Sequence, residues 1–163
     1  MIKGIKTVII LIFIPLVTGY ILNRVALYFF MPPIISQIIF TAFWFWVGYR
    51  FTLLPWNKLK SFIVGNSIWL LSLLLFIWQF VVLDDESRNL ILAGLSQNYI
   101  VGFLWSGVKW ASVMYDSQLT TLNVTISSFI FMFLTFTVGF IYSWVKQYRD
   151  AVNEKITMGK SME

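Results

Sequence analysis

Four long apolar stretches, at about 8–30, 34–54, 62–83 and 122–145, fill most of the 163-residue chain and are parted by short charged segments. Each is long enough to cross a hydrocarbon core of ~30 Å at ~1.5 Å rise per residue. A chain patterned this way is expected to fold as an all-α membrane bundle of four spans. Composition agrees: 59% of residues are hydrophobic and only 12% are charged, against ~25% charged in an average soluble domain. A soluble protein with that balance would leave large apolar patches facing water; here lipid is the expected solvent. Aromatic residues are abundant, with 16 Phe, 7 Tyr and 8 Trp. Trp56, Trp144 and Tyr148 fall near span ends, where amphipathic rings favour the headgroup region.

The chemistry available to the chain is narrow. It has no Cys and no His. Disulfides, thiolate metal sites, cysteine nucleophiles and the commonest general base are therefore excluded. No cofactor site and no metal site is expected.

Charge sets the expected orientation. Lys3, Lys6, Arg50, Lys58, Lys60, Lys146, Arg149, Lys155 and Lys160 share one side of a four-span arrangement, together with Asp150, Glu154 and Glu163. That side carries +6. Arg24, Arg88 and Lys109 share the other with Asp84, Asp85, Glu86 and Asp116, for −1, and the two recover the chain's +5. Lys and Arg accumulate on cytoplasmic loops, so both termini are expected in the cytoplasm of a plasma (inner) membrane protein. The basic surface is first an orientation signal and secondarily an attraction to anionic lipid. Nucleic acid is not an expected partner, since no folded basic domain carries the charge. Lys3 and Lys6 before the first apolar run also resemble a secretory signal, and the length of that run favours an uncleaved signal-anchor.

The stretch 89–115 is ambiguous. It is apolar, yet broken by Gly94, Asn98, Gly102, Ser106, Gly107 and Lys109. Gly94, Asn98, Gly102 and Ser106 recur every four residues and would lie along one helix face as a stripe of small and polar groups. Such stripes let membrane helices approach closely, so these four are the candidate helix-packing residues. A fifth span here would put the C-terminus outside and spoil the charge asymmetry. An external interfacial helix or a re-entrant helical hairpin is expected instead. The tail 146–163 is expected to continue span four as a charged cytoplasmic helix and to fray after Gly159.

Several motifs invite chemistry and have simpler readings. Ser106-Gly-Val-Lys109 has the Ser-x-x-Lys spacing of serine acyl-enzymes, but it stands without companion motifs. A packing serine and a snorkelling lysine are the expectation. Asp84, Asp85 and Glu86 are hard oxygen donors without the spacing of a calcium loop, and they read as a sharp span boundary. No span holds a midplane carboxylate, which argues against a self-contained ion-coupled pump. Arg24, Gln37 and Gln79 all fall near outer span ends and form a candidate external polar cluster. Hydrogen bonding between helices is the alternative.

The leading expectation is a non-enzymatic multi-pass membrane protein acting through protein partners, as an accessory, immunity-type or regulatory subunit. An oligomeric small-molecule permease or channel is the second class. A membrane-embedded enzyme is the third.

Overall fold

The computed structural model describes residues 2–26, 33–115 and 119–160. The described residues are helical throughout apart from short turns, with no strand among them. Seven α-helices follow in order: α1 Ile2–Ala26, α2 Pro33–Thr52, α3 Lys58–Gly65, α4 Ser67–Ile77, α5 Leu90–Ile100, α6 Leu104–Met114 and α7 Thr121–Lys160. Three continuous stretches are long and apolar enough to cross a membrane: Ile34–Thr52, Lys58–Val82 and Thr121–Met158. Within α1 the apolar stretch is shorter, Val8–Ile21.

Span boundaries follow local chemistry. Proline at Pro33 opens α2, where its missing N–H costs nothing. The chain turns after Thr52 through Pro55, and Asn57 starts α3 by accepting the Leu59 N–H at 3.0 Å. The third apolar stretch is not one smooth helix. At Asn66 the backbone relaxes to φ −97°, ψ 4°, and the Asn66 amide donates to the Phe62 carbonyl at 2.9 Å. Asparagine competes for backbone groups in this way, which is why a break falls there. Its last turn, Trp78–Val82, widens to π-type geometry before the acidic turn. The fourth stretch continues into the charged tail as expected, and α7 runs unbroken for 40 residues, about 60 Å.

Parallel α2 and α7 form the centre. Both descend from the end marked by Asp84 and Glu86 (the acidic end) to the end marked by Arg50, Lys58 and Arg149 (the basic end). A Cβ at Gly48 would collide with the Phe136 carbonyl, and one at Gly139 with the Phe45 carbonyl. Two helices meet this closely only where side chains are absent on both sides. Lower down, the Thr52 hydroxyl donates to the Phe140 carbonyl of α7 at 3.2 Å. Phe136 is fully buried, and its ring lies 5.8–6.2 Å from those of Trp44, Phe51, Phe62 and Phe140. Edge and tilted pairs of this kind add to area burial. α3 and α4 rise antiparallel to α7, with Phe62 beside Phe140 and Phe76 beside Phe129.

The stretch 89–115 forms two arms joined by a bend. Asn89 is hydrogen-bonded to Gln79 at the acidic end. Ten residues on, the Tyr99 ring meets Trp44, well inside the bundle. The path then returns: Phe103 meets Phe40, and Ser106 meets Gln37. So α5 runs inward against α1 and α4, and α6 runs back outward against α7 and α2. The bend is the tight turn Val101–Phe103, flanked by Ile100 at φ −103°, ψ −2° and Phe103 at φ −111°, ψ −1°. Short 3₁₀ turns of this type redirect a helix at the cost of weaker hydrogen bonds. α1 is held chiefly by this insertion, with Gly19 against the Asn98 backbone.

Candidate functional site

The bend creates a backbone problem that a glutamine from another helix solves, and a second glutamine braces the start of the insertion. A helix start leaves its first N–H groups without intrahelical partners. At α6 no local side chain caps that start. The Gln37 carbonyl oxygen, from α2, accepts the Ser106 N–H at 3.1 Å, while its amide donates to Thr41 at 2.8 Å. At α5 the cap is shared. The Asn89 side chain accepts from Ile91 and Leu92 N–H at 3.0 and 3.2 Å, and the Asn89 N–H donates to Gln79 Oε1 at 2.8 Å. Gln79 is 1% exposed. Its own carbonyl accepts from Arg88 Nε at 2.9 Å. Arg88 in turn pairs with Asp85 at 2.6 Å and lies 4.5 Å from the centre of the Phe80 ring.

These contacts locate the residues singled out from sequence. Gln37 and Gln79 each brace one arm of the insertion, through Ser106 and Asn89. The Arg24 side chain lies outside the described residues. The stripe Gly94, Asn98, Gly102, Ser106 is divided by the bend. Gly102 is in tight contact, since a Cβ there would collide with the Phe40 ring of α2. Asn98 presents its backbone to Gly19, and Ser106 its N–H to Gln37. Gly94 departs from the expected contact: among the described residues, a Cβ there would meet nothing within 4 Å. The neighbouring Gly107, which breaks the four-residue rhythm, packs on Val124 and Ser128 of α7. Lys109 Nζ lies 5.0 Å from the centre of the Trp105 ring, a snorkelling cation over an aromatic face.

A second polar group closes the basic end. Lys58 Nζ donates to the Thr52 carbonyl at 2.6 Å and to Gln147 Oε1 at 2.9 Å. The Gln147 amide continues to the Ser143 hydroxyl at 3.2 Å. This ties the turn after α2 to the point where α7 leaves the bundle. In the sequence Lys58 carries only an orientation charge, and nothing singles out Thr52 or Gln147 as its partners. The available signal was a lysine directly after a capping asparagine, with a lone glutamine among the charges of the tail.

Four buried polar atoms have no hydrogen-bond partner among the described residues: Trp44 Nε1, Ser61 Oγ, Asn66 Oδ1 and Gln79 Nε2. Two of them, on α2 and α3, lie on helices that border the Phe136 cluster, and Asn66 lies at the break after α3. No group of three or more metal-ligating side chains occurs among the described residues. Asp84, Asp85 and Glu86 are exposed at the acidic turn.

Comparison with known proteins returned no matching family model, curated protein or solved structure.

Proposed function

We propose that this chain is a four-span plasma membrane protein, with both termini on its basic cytoplasmic side and 89–115 re-entering from the opposite side. We propose further that it acts by contact with another protein, as an accessory, regulatory or immunity-type subunit. The observation that carries this reading is how the interior polar groups are used. Gln37, Gln79, Thr52, Lys58 and Trp69 all bond across helices of the same chain. An interior occupied in this way braces a scaffold. Four buried polar atoms stay unpartnered among the described residues, and two features open outward: Gly94 on the inserted arm and the extension of α7. A small-residue opening on a membrane helix suits close approach by another helix. The test is affinity capture from membranes in mild detergent, with mass analysis of the complex. A different protein at fixed stoichiometry is expected. Its absence in several mild detergents overturns the reading.

One observation favours a permease as the second reading. Both Lys58–Val82 and the insertion are interrupted helices, and unpartnered polar atoms lie beside the interruption at Asn66. Interrupted helices line substrate sites in many transporters. Under that reading purified protein in vesicles conducts a small solute; under the first it does not.

A further inference from the structure

α7 continues well past the bundle, and the side it leaves uncovered is not polar. Residues 148–158 are all exposed. Val145, Tyr148, Val152 and Ile156 are 59%, 71%, 38% and 55% exposed. At 3.6 residues per turn these four and Ile141 fall within an arc of about 80°. Lys146, Asp150, Asn153, Glu154 and Thr157 occupy the opposite side. The extension is therefore amphipathic, and its apolar face prolongs the lipid-facing side of the span.

Lipid does not cover that face. The headgroup layer adds only ~5–8 Å beyond each side of the hydrocarbon core. Ile156 lies eleven residues past Val145, about 16 Å along the axis. From Phe140 to Met158 there is neither Gly nor Pro, so the helix has no kink with which to lie down on the membrane. An occupant must match one face of a straight helix both inside the membrane and beyond it. It must itself be a straight helix that leaves the membrane at this end.

α7 has that property. Two copies in one membrane share an orientation, so a two-fold axis along the membrane normal brings this face onto itself. The steps Ile141, Val145, Tyr148, Val152 alternate four, three, four, the spacing of paired helices in a coiled coil. With Val145 and Val152 as a positions and Tyr148 as d, Trp144 is g and Arg149 is e. In a parallel pair, Arg149 of one copy then faces Trp144 of the other, a cation against an aromatic ring. We propose that α7 of a second copy covers this face, forming a parallel two-stranded pair from about Ile141 to Val152, with the seam ending where Lys155 takes the next d position. The proposal rests on the membrane reading above and adds a self-contact to the scaffold that meets another protein.

The chain has no cysteine, so single cysteines report proximity directly. Val145→Cys, Tyr148→Cys and Val152→Cys are compared with Lys146→Cys, Asp150→Cys and Asn153→Cys under mild oxidation in intact membranes. Disulfide dimers are expected several-fold more from the first set. Adding Val152→Glu to Tyr148→Cys should remove that dimer at unchanged abundance, because residue 152 lies beyond the bundle. No dimer from any of the first set, or equal yields from both sets, overturns the pairing. Self-crosslinking without a co-purified protein leaves the pairing intact and removes the accessory-subunit reading. The reverse result leaves that reading and removes the pairing.

Discussion

Gly102 is where the insertion touches α2 most closely. The side chain facing it is the half-buried ring of Phe40, which is itself packed on Phe103. A leucine must displace that ring or force the bend open. Overpacking of this kind costs about 1–3 kcal/mol. Gly102→Leu is expected to lower unfolding resistance in detergent by that amount. Gly94→Leu, with open space around it, is expected to leave the isolated fold unchanged. Equal loss from both would mean that the stripe acts as one surface, as the four-residue spacing alone suggests. That spacing made Gly102 legible and Gly94 misleading. A periodic stripe assumes an unbroken helix, and the turn Val101–Phe103 rotates the residues on either side of it. The glutamines were legible as costly polar groups near span ends. Their partners were not, because the acceptor role of Gln37 exists only once the bend has freed the Ser106 N–H.

Among the elements, α2 and α7 share the most extensive contact, and the sequence does not say that these two helices pair. Gly48 and Gly139 are single glycines in aromatic and aliphatic runs, 91 positions apart. Each stands in a small-x-x-x-small pattern, Gly48–Thr52 in α2 and Thr135–Gly139–Ser143 in α7, but the spacing does not say which helix faces which. What pairs them is parallel packing that sets each against the other helix's carbonyl, at Phe136 and Phe45. Gly48→Leu and Gly139→Leu are each expected to destabilise by at least ~1–3 kcal/mol. The double variant is expected to lose less than the sum, because once the helices separate the second leucine has little left to displace. Additive losses in a detergent unfolding titration would place the two glycines in independent contacts. The long apolar runs were readable because hydropathy needs no partner. The break at Asn66 was hinted at by Gly65-Asn66-Ser67. The full length of α7 was half legible: a charged helical extension was foreseen, its apolar face was not, since counting charges hides a stripe on the other side.

At the scale of the whole molecule, the arrangement of the ends supports the proposed lie of the chain in a bilayer. Only residues 27–32 separate α1 from α2. At ~3.3–3.6 Å per extended residue they reach no more than about 25 Å. Ala26 therefore lies toward the end where α2 starts, and Lys6 toward the basic end with Lys58 and Arg149. The acidic turn and the open ends of both inserted arms share the opposite end. Lys60 and Arg50, at 5.1 and 5.7 Å from the Trp56 and Trp46 ring centres, set cations against aromatic rings at the basic end. Single cysteines in place of Lys6, Glu86, Ser112 and Glu154 test the arrangement. An impermeant thiol reagent applied to intact cells should label positions 86 and 112. Positions 6 and 154 should react only after the membrane is opened. The decisive position is 112, because it follows the insertion. If 89–115 crossed the membrane completely, 86 and 112 would report opposite sides, and 154 would appear outside. If the insertion only dips and returns, 86 and 112 label together. Their joint labelling is expected, because Asn89 and Ser106 are bonded to Gln79 and Gln37 at one end of the bundle.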